Sequence, residues 1–159
     1  MNKVFFDLEW NTGFLDGNSF DEIIEIGAVK TDEEYRQIDG FRRLIRPVIY
    51  RKMNPYIQKI LAITMKDLQG EEPLASVAKA FFDWCGDCDT LIAWSGNDFG
   101  VLEKNLAHIG MKIPEQLGRY DVQMAYAYRT ENSIRNYALK TAVEAMELPE
   151  PEGQEYHDA

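Results

Sequence analysis

Asp7 and Glu9 stand in the run VFFDLEWN, residues 4–11, separated by one leucine and preceded by three apolar residues. Alternate side chains of a strand share a side, so these two carboxylates lie roughly 7 Å apart at the backbone. From there both can converge on one or two cations, and bound cations would relieve the repulsion between them. Taken alone the pair fits two readings: a cation site, or two acids exposed past the end of a strand. Asp98 is the third acid of interest. It follows the apolar TLIAWS (90–95) and opens a helical stretch, which places it at a strand-to-helix junction. In open α/β sheets such junctions gather along one edge and form the usual site crevice. An acid there is also favoured as a helix cap and by the helix dipole, and capping does not exclude metal binding.

The elements that must position these acids can be read from periodicity. Residues 3–8 read as a buried strand and EIIEIGAVK (22–30) as a second, with Ile24, Ile26 and Ala28 on one face. DEEY (32–35) suits the hairpin turn to a third strand over 37–47, stopped by Pro47. Short helical turns follow in 54–68, then an amphipathic helix over 73–88 marked by Leu74, Val77, Phe81, Trp84 and Cys88. A short strand at 90–95 leads into a helix over 98–110 that Gly110 is placed to end. RYDV (119–122) reads as a last strand, with Asp121 capping the helix after it. Ser133 is placed to cap a further helix carrying Ile134, Tyr137 or Ala138, Thr141 and Ala145 on one face. PEPEG (149–153) reads as a loop, and EYHDA opens one more helix. A meander of three strands followed by strands alternating with helices predicts an α/β domain, its mixed sheet covered by helices on both faces.

Composition sets the bounds. With 159 residues, 45% apolar and 28% charged, the chain fits one globular domain over 1–159. The apolar runs are far below a membrane span, and the N-terminal one is too short for a signal peptide. No membrane association and a cytoplasmic location are therefore expected. The net charge of −10 argues against nucleic acid, which usually meets a basic footprint. That objection weakens where carboxylates hold cations, because bound metals reverse the local sign. WCGDC (84–88) has the form of a redox motif but sits at the C-terminal end of its helix, where the thiol pKa rises rather than falls. Two thiols also supply only half of a closed zinc site.

Three stretches carry a resemblance. FFDLEWN, WSGNDFGVLEKNL and YHDA are similar, in order, to motifs I, II and III of the DEDDh-type 3′–5′ exonucleases, the RNase T and DnaQ-like superfamily. With IIEIGAV as its second strand, the pattern is most similar to the KapD-like and Eri1-like branch. The resemblance implies a ribonuclease H-like fold with a five-stranded sheet, and two Mg2+ or Mn2+ ions held by four acids. Asp7 would bridge the ions, Glu9 would hold one, and Asp98 would help to hold the other. His157 matches the histidine that takes a proton from the attacking water; a sister branch uses a tyrosine, and Tyr156 is its counterpart here. The implied reaction releases nucleoside 5′-monophosphates from the 3′ ends of single-stranded or 3′-overhanging nucleic acid, with RNA favoured over DNA.

The chain departs from the pattern in two places. Trp10 follows the glutamate of motif I, in the segment including Thr12 with which family members grip the terminal nucleotide. Motif III should continue to an aspartate three residues past Ala159, so the natural chain is expected to extend its last helix and supply that fourth acid. Trp10, Phe14 and Tyr56 are candidates to stack on terminal bases, and the alternative for each is a place in the core. Two other functions stay open: a ribonuclease H-like endonuclease, against which the motif III histidine argues, and a nucleic-acid-binding module that has lost turnover.

Overall fold

The computed structural model describes residues 1–131 and 137–149. Five strands, β1 (Lys3–Leu15), β2 (Asn18–Thr31), β3 (Gln37–Leu44), β4 (Thr90–Ala93) and β5 (Gly118–Asp121), form one mixed sheet in the order β3-β2-β1-β4-β5. The first three pair antiparallel, while β4 runs parallel to β1 and β5 parallel to β4. Between β3 and β4 lie α1 (Pro55–Leu61), α2 (Met65–Leu68) and α3 (Leu74–Cys85), and α4 (Gly96–His108) connects β4 to β5. Helices α5 (Val122–Glu131) and α6 (Leu139–Ala145) follow. The predicted Ser133 cap lies outside the described residues, and α6 starts after Tyr137 and Ala138 rather than including them.

One face of β1 is apolar and the other is not. Val4, Phe6 and Leu8 are buried against α3 (Val77, Phe81) and α4 (Phe99, Leu102, Leu106). Phe6 meets Phe99 edge to face at 5.1 Å between ring centroids. Each such side chain contributes about 1.5–3 kcal/mol through burial alone. The alternation that drives Val4, Phe6 and Leu8 inward turns Asp7 and Glu9 to the opposite face.

The hairpin of β1 and β2 is much longer than periodicity indicates, pairing continuously out to Leu15 and Asn18. Asp16 and Gly17 make its two-residue turn with φ of 49° and 81°, the left-handed pair that a twisted hairpin favours. The register shifts once, between Glu9 and Trp10: Glu9 pairs with Glu25 but Trp10 with Ile23, leaving Ile24 as the extra residue of a bulge. The expectation that Ile24 and Ile26 share a face is therefore corrected. Ile23 and Ile26 enter the main core, whereas Ile24 joins Met53 and Leu68 in a separate cluster beneath α1 and α2.

A bulge leaves backbone groups without ladder partners, and buried Asn105 of α4 supplies them. Its Oδ1 accepts from the Ile23 N–H at 3.2 Å, and its Nδ2 donates to the carbonyls of Asp21 at 2.7 Å and Val101 at 2.9 Å. One side chain thus fixes α4 to the irregular part of β2.

Helix α3 ends at Gly86, whose φ of 59° suits a residue without Cβ. Cys85 and Cys88 are both buried and free, and burial pushes the Cys85 thiol up to about 12 and the Cys88 thiol in the same direction. The native protein should therefore leave both thiols unreacted with a disulfide reagent, and both should react after denaturation. Rapid reaction of either thiol in the native state would restore the redox reading of WCGDC. Among the described residues, no helix is long and apolar enough to cross a membrane.

Candidate active site

Cross-strand pairing arranges the acidic face in rows. Asp7 stands opposite Gly27, which stands opposite Arg42; Glu9 stands opposite Glu25, which stands opposite Leu44. Nothing lies within 4 Å of where a Cβ of Gly27 would project, so the lane between Asp7 and Arg42 is open. A groove of about 380 Å³ runs over this face, bordered by Phe5, Asp7, Glu9, Glu25 and Arg42. Glu25 is 6% exposed and is ion-paired to Arg42. That pairing offsets a second carboxylate placed directly across from Glu9, an arrangement otherwise destabilising.

Asp98 reaches β1 from the other direction. Strand β4 pairs with β1 only as far as Phe5, which ends the ladder on that edge. The Leu8 N–H, between Asp7 and Glu9 in the chain, is near enough to the Asp98 carboxylate to favour its charged form. The Ser95 hydroxyl donates to Asp98 Oδ2 at 3.1 Å, and the nearby backbone N–H groups of Ser95 and Asp98 also favour the charged form. Ser95, not Asp98, is the N-cap residue of α4, and Asp98 stands in the first turn of that helix. Asp98 is 6% exposed, and burial raises its carboxyl above the ordinary range against the pull of those hydrogen bonds. Asp121 caps α5 as expected, accepting the Met124 N–H at 2.8 Å. Its Oδ2 also lies 2.9 Å from where a Cβ on Gly96 would stand, so a larger residue at the start of α4 would displace the Asp121 carboxylate.

The other candidates are placed as follows. Trp10 is half-buried and packs against the main core. The Thr12 hydroxyl donates to Asp21 Oδ1 at 2.8 Å across the hairpin. Phe14 and Tyr56 are 77% and 70% exposed, so the core alternative does not hold for either. His157 and Tyr156 lie outside the described residues.

Two buried polar residues that periodicity does not single out brace this end of the molecule. Asn11 accepts the Asn54 N–H at 2.8 Å and donates to the Lys52 carbonyl at 3.1 Å. Asn54 in turn caps α1 through the Tyr56 N–H. The Glu22 carboxylate takes the N–H groups of Val48, Ile49 and Tyr50 at 2.6, 2.8 and 2.9 Å, and the Tyr50 ring fills the space beside Gly13. A Glu22→Gln change presents an NH2 group to backbone donors and should loosen this loop. Limited trypsin digestion is expected to cut the variant after Arg51 or Lys52 faster than the parent; equal rates would show that the loop is held by other means. In the sequence the only signal for Asn11, Glu22 and Asn105 was a polar type within a stretch that has to be buried.

The donor set of Asp7, Glu9 and Asp98 is oxygen alone, which suits a hard cation such as Mg2+ or Mn2+ over zinc. Among the described residues, no group of three or more His, Cys, Asp or Glu side chains is drawn together closely enough to hold a metal ion.

The family described as RNase_T: Exonuclease matches residues 4–159. DNA polymerase III PolC-type of Clostridium perfringens is 34% identical over 112 residues, covering 69% of this chain and 7% of the relative's length. The chain is thus a small part of that relative's length. Among solved structures, cell-death related nuclease 4 has a TM-score of 0.76 at 14% identity, covering 96% of this chain and 57% of that one. The nuclease domain of 3′hExo bound to rAMP has a TM-score of 0.75 at 16% identity, covering 96% and 82%. E. coli exonuclease I in complex with a dT13 oligonucleotide has a TM-score of 0.69 at 17% identity, covering 96% and 37%. These likenesses establish the ribonuclease H-like fold. With the family match spanning nearly the whole chain, the chain belongs to the RNase T family of DEDDh-type exonucleases, which are phosphodiester hydrolases.

Proposed function

We propose that this chain is a metal-dependent 3′–5′ exonuclease that releases nucleoside 5′-monophosphates from single-stranded or short nucleic acid, with RNA favoured over DNA. The observation that supports the reading is the pair of acids Asp7 and Glu9 facing an open groove, with the buried Asp98 carboxylate near the N–H of Leu8 between them. Asp7, Glu9 and Asp98 would hold two Mg2+ or Mn2+ ions together with the fourth acid of the family pattern. Two such ions, when bound, stabilise the attacking and leaving oxygens of an in-line displacement.

The chain's own residues do the rest. His157 takes a proton from the attacking water, a role suited to a group that titrates near neutral pH. The new bond joins the water oxygen to the terminal phosphorus, and the bond to the 3′ oxygen of the preceding nucleotide breaks. Asn11 and Glu22 hold the loop behind the site. Phe14 and Tyr56 offer exposed rings on which bases can stack, and Trp10 and Thr12 line the grip beside them.

The test is a 5′-labelled RNA and a matching DNA incubated with Mn2+ and resolved by length. A ladder shortening from the 3′ end, faster on RNA, is expected. Internal cuts would make the protein an endonuclease, and retention without cutting would make it a binding module.

A further inference from the structure

Charge is distributed very unevenly along this chain. Residues 42–66 carry seven Lys or Arg and no Asp or Glu, whereas the remaining 10 basic residues face all 27 acidic ones. A chain of net charge −10 therefore contains one contiguous stretch of strong positive charge. All seven of these basic side chains are exposed. Arg42 is engaged by Glu25, and Arg46 donates to the Glu71 carbonyl. Arg51, Lys52, Lys59 and Lys66 enter no ion pair among the described residues.

From these observations we infer that Arg51, Lys52 and Lys59, with Tyr56 among them, form the track along which the phosphates upstream of the scissile bond leave the site; the inference rests on the exonuclease reading above. The track is joined to the site strand by short links. Asn11, two residues beyond Glu9 on β1, holds the Lys52 carbonyl and the Asn54 N–H. Tyr56 and Lys59 are three apart on α1, so both stand on one exposed helix face. Ile57 and Leu61 pack beneath, toward Ile24. Basic side chains interleaved with an exposed ring are the arrangement that tracks a single strand without reading its sequence. The acidic remainder of the surface repels a polyanion and leaves this path as the electrostatically favoured one. Lys66 on α2 extends the same stretch of charge.

The test is the salt dependence of binding, measured by fluorescence anisotropy with a 5′-fluorescein oligouridylate of twelve nucleotides. The Asp98→Asn background keeps the strand intact. Each phosphate neutralised on a single strand contributes a slope of about −0.7 in log K against log salt. Arg51→Gln, Lys52→Gln and Lys59→Gln together should therefore reduce the slope by about 2, and Lys59→Gln alone by about 0.7. A control that removes the same charge elsewhere, at Lys79, Lys104 and Lys112, should leave the slope nearly unchanged. Equal reductions in both triple variants, no reduction in the first, or no binding by the parent would overturn the track. Hydrolysis by the parent of a nucleoside 5′-monophosphate nitrophenyl ester, too short to reach α1, reports on the exonuclease reading separately. Ester hydrolysis with an unaltered slope would overturn the track and leave the chemistry in place.

Discussion

Asp98→Asn is expected to lower strand cleavage by roughly 10²–10³-fold or more, the scale on which removal of one charge-stabilising group slows such reactions. The metal-free protein should nevertheless be as stable as the parent, or more stable. Asp98 is buried, and burial raises its carboxyl pKa in the fold above the unfolded value. Between those two values the folded state binds the proton that the unfolded state has released, so stability falls as pH rises through that window. Above it the whole penalty is present, and a neutral isostere escapes it. The asparagine oxygen can still accept the Ser95 hydroxyl. Thermal melts in EDTA across the acid range should show the parent losing stability with rising pH relative to the variant. A variant that melts well below the parent at neutral pH would show that the charge of Asp98 is structural.

The largest stability effect is expected at Asn105. Asn105→Leu removes the partners of the Ile23 N–H and the Asp21 carbonyl while keeping the same branched shape in a somewhat larger side chain. Buried backbone groups left unsatisfied cost about 1–3 kcal/mol each, so a loss of about 3 kcal/mol is expected. In a domain of this size that corresponds to a fall in Tm of roughly 6–12 °C. Activity should fall as well, because α4 carries Asp98 at one end and Asn105 further along. A fall in Tm below about 2 °C would mean that the bulge is satisfied without this side chain.

Much of this arrangement was legible in the sequence, for identifiable reasons. Val4, Phe6 and Leu8 alternate cleanly, so the strand and the outward turn of Asp7 and Glu9 could both be read. Phe99, Leu102 and Leu106 keep helical spacing, which located α4 and put Asp98 in its first turn. The outer half of the long hairpin was not legible, because residues 11–19 are mostly polar and rich in Asn, Asp and Gly. Their pairing is fixed by the Asp16–Gly17 turn and by the braces from Asn11, Glu22 and Gly13, which act across tens of residues. The bulge at Ile24 could not be read either. Three apolar or polar residues in a row, Ile23, Ile24 and Glu25, are compatible with several registers, and only Asn105 from a distant helix selects one. The approach of Asp98 to Leu8 depends on where β4 stops pairing with β1, a property of the assembled sheet.

The central claim is that Asp7, Glu9 and Asp98 are placed to hold cations. The measurement that tests it most directly is the rise in Tm on adding saturating Mn2+ to the parent, to Asp7→Asn and to Asp98→Asn. A ligand that binds the folded state alone stabilises it by RT ln(1 + [L]/Kd), about 2.7 kcal/mol at a hundredfold excess over Kd. The parent should show a rise that grows with Mn2+ concentration, and both variants a much smaller one. An equal rise in all three proteins would contradict the account, because the cations would then be bound somewhere other than at these acids.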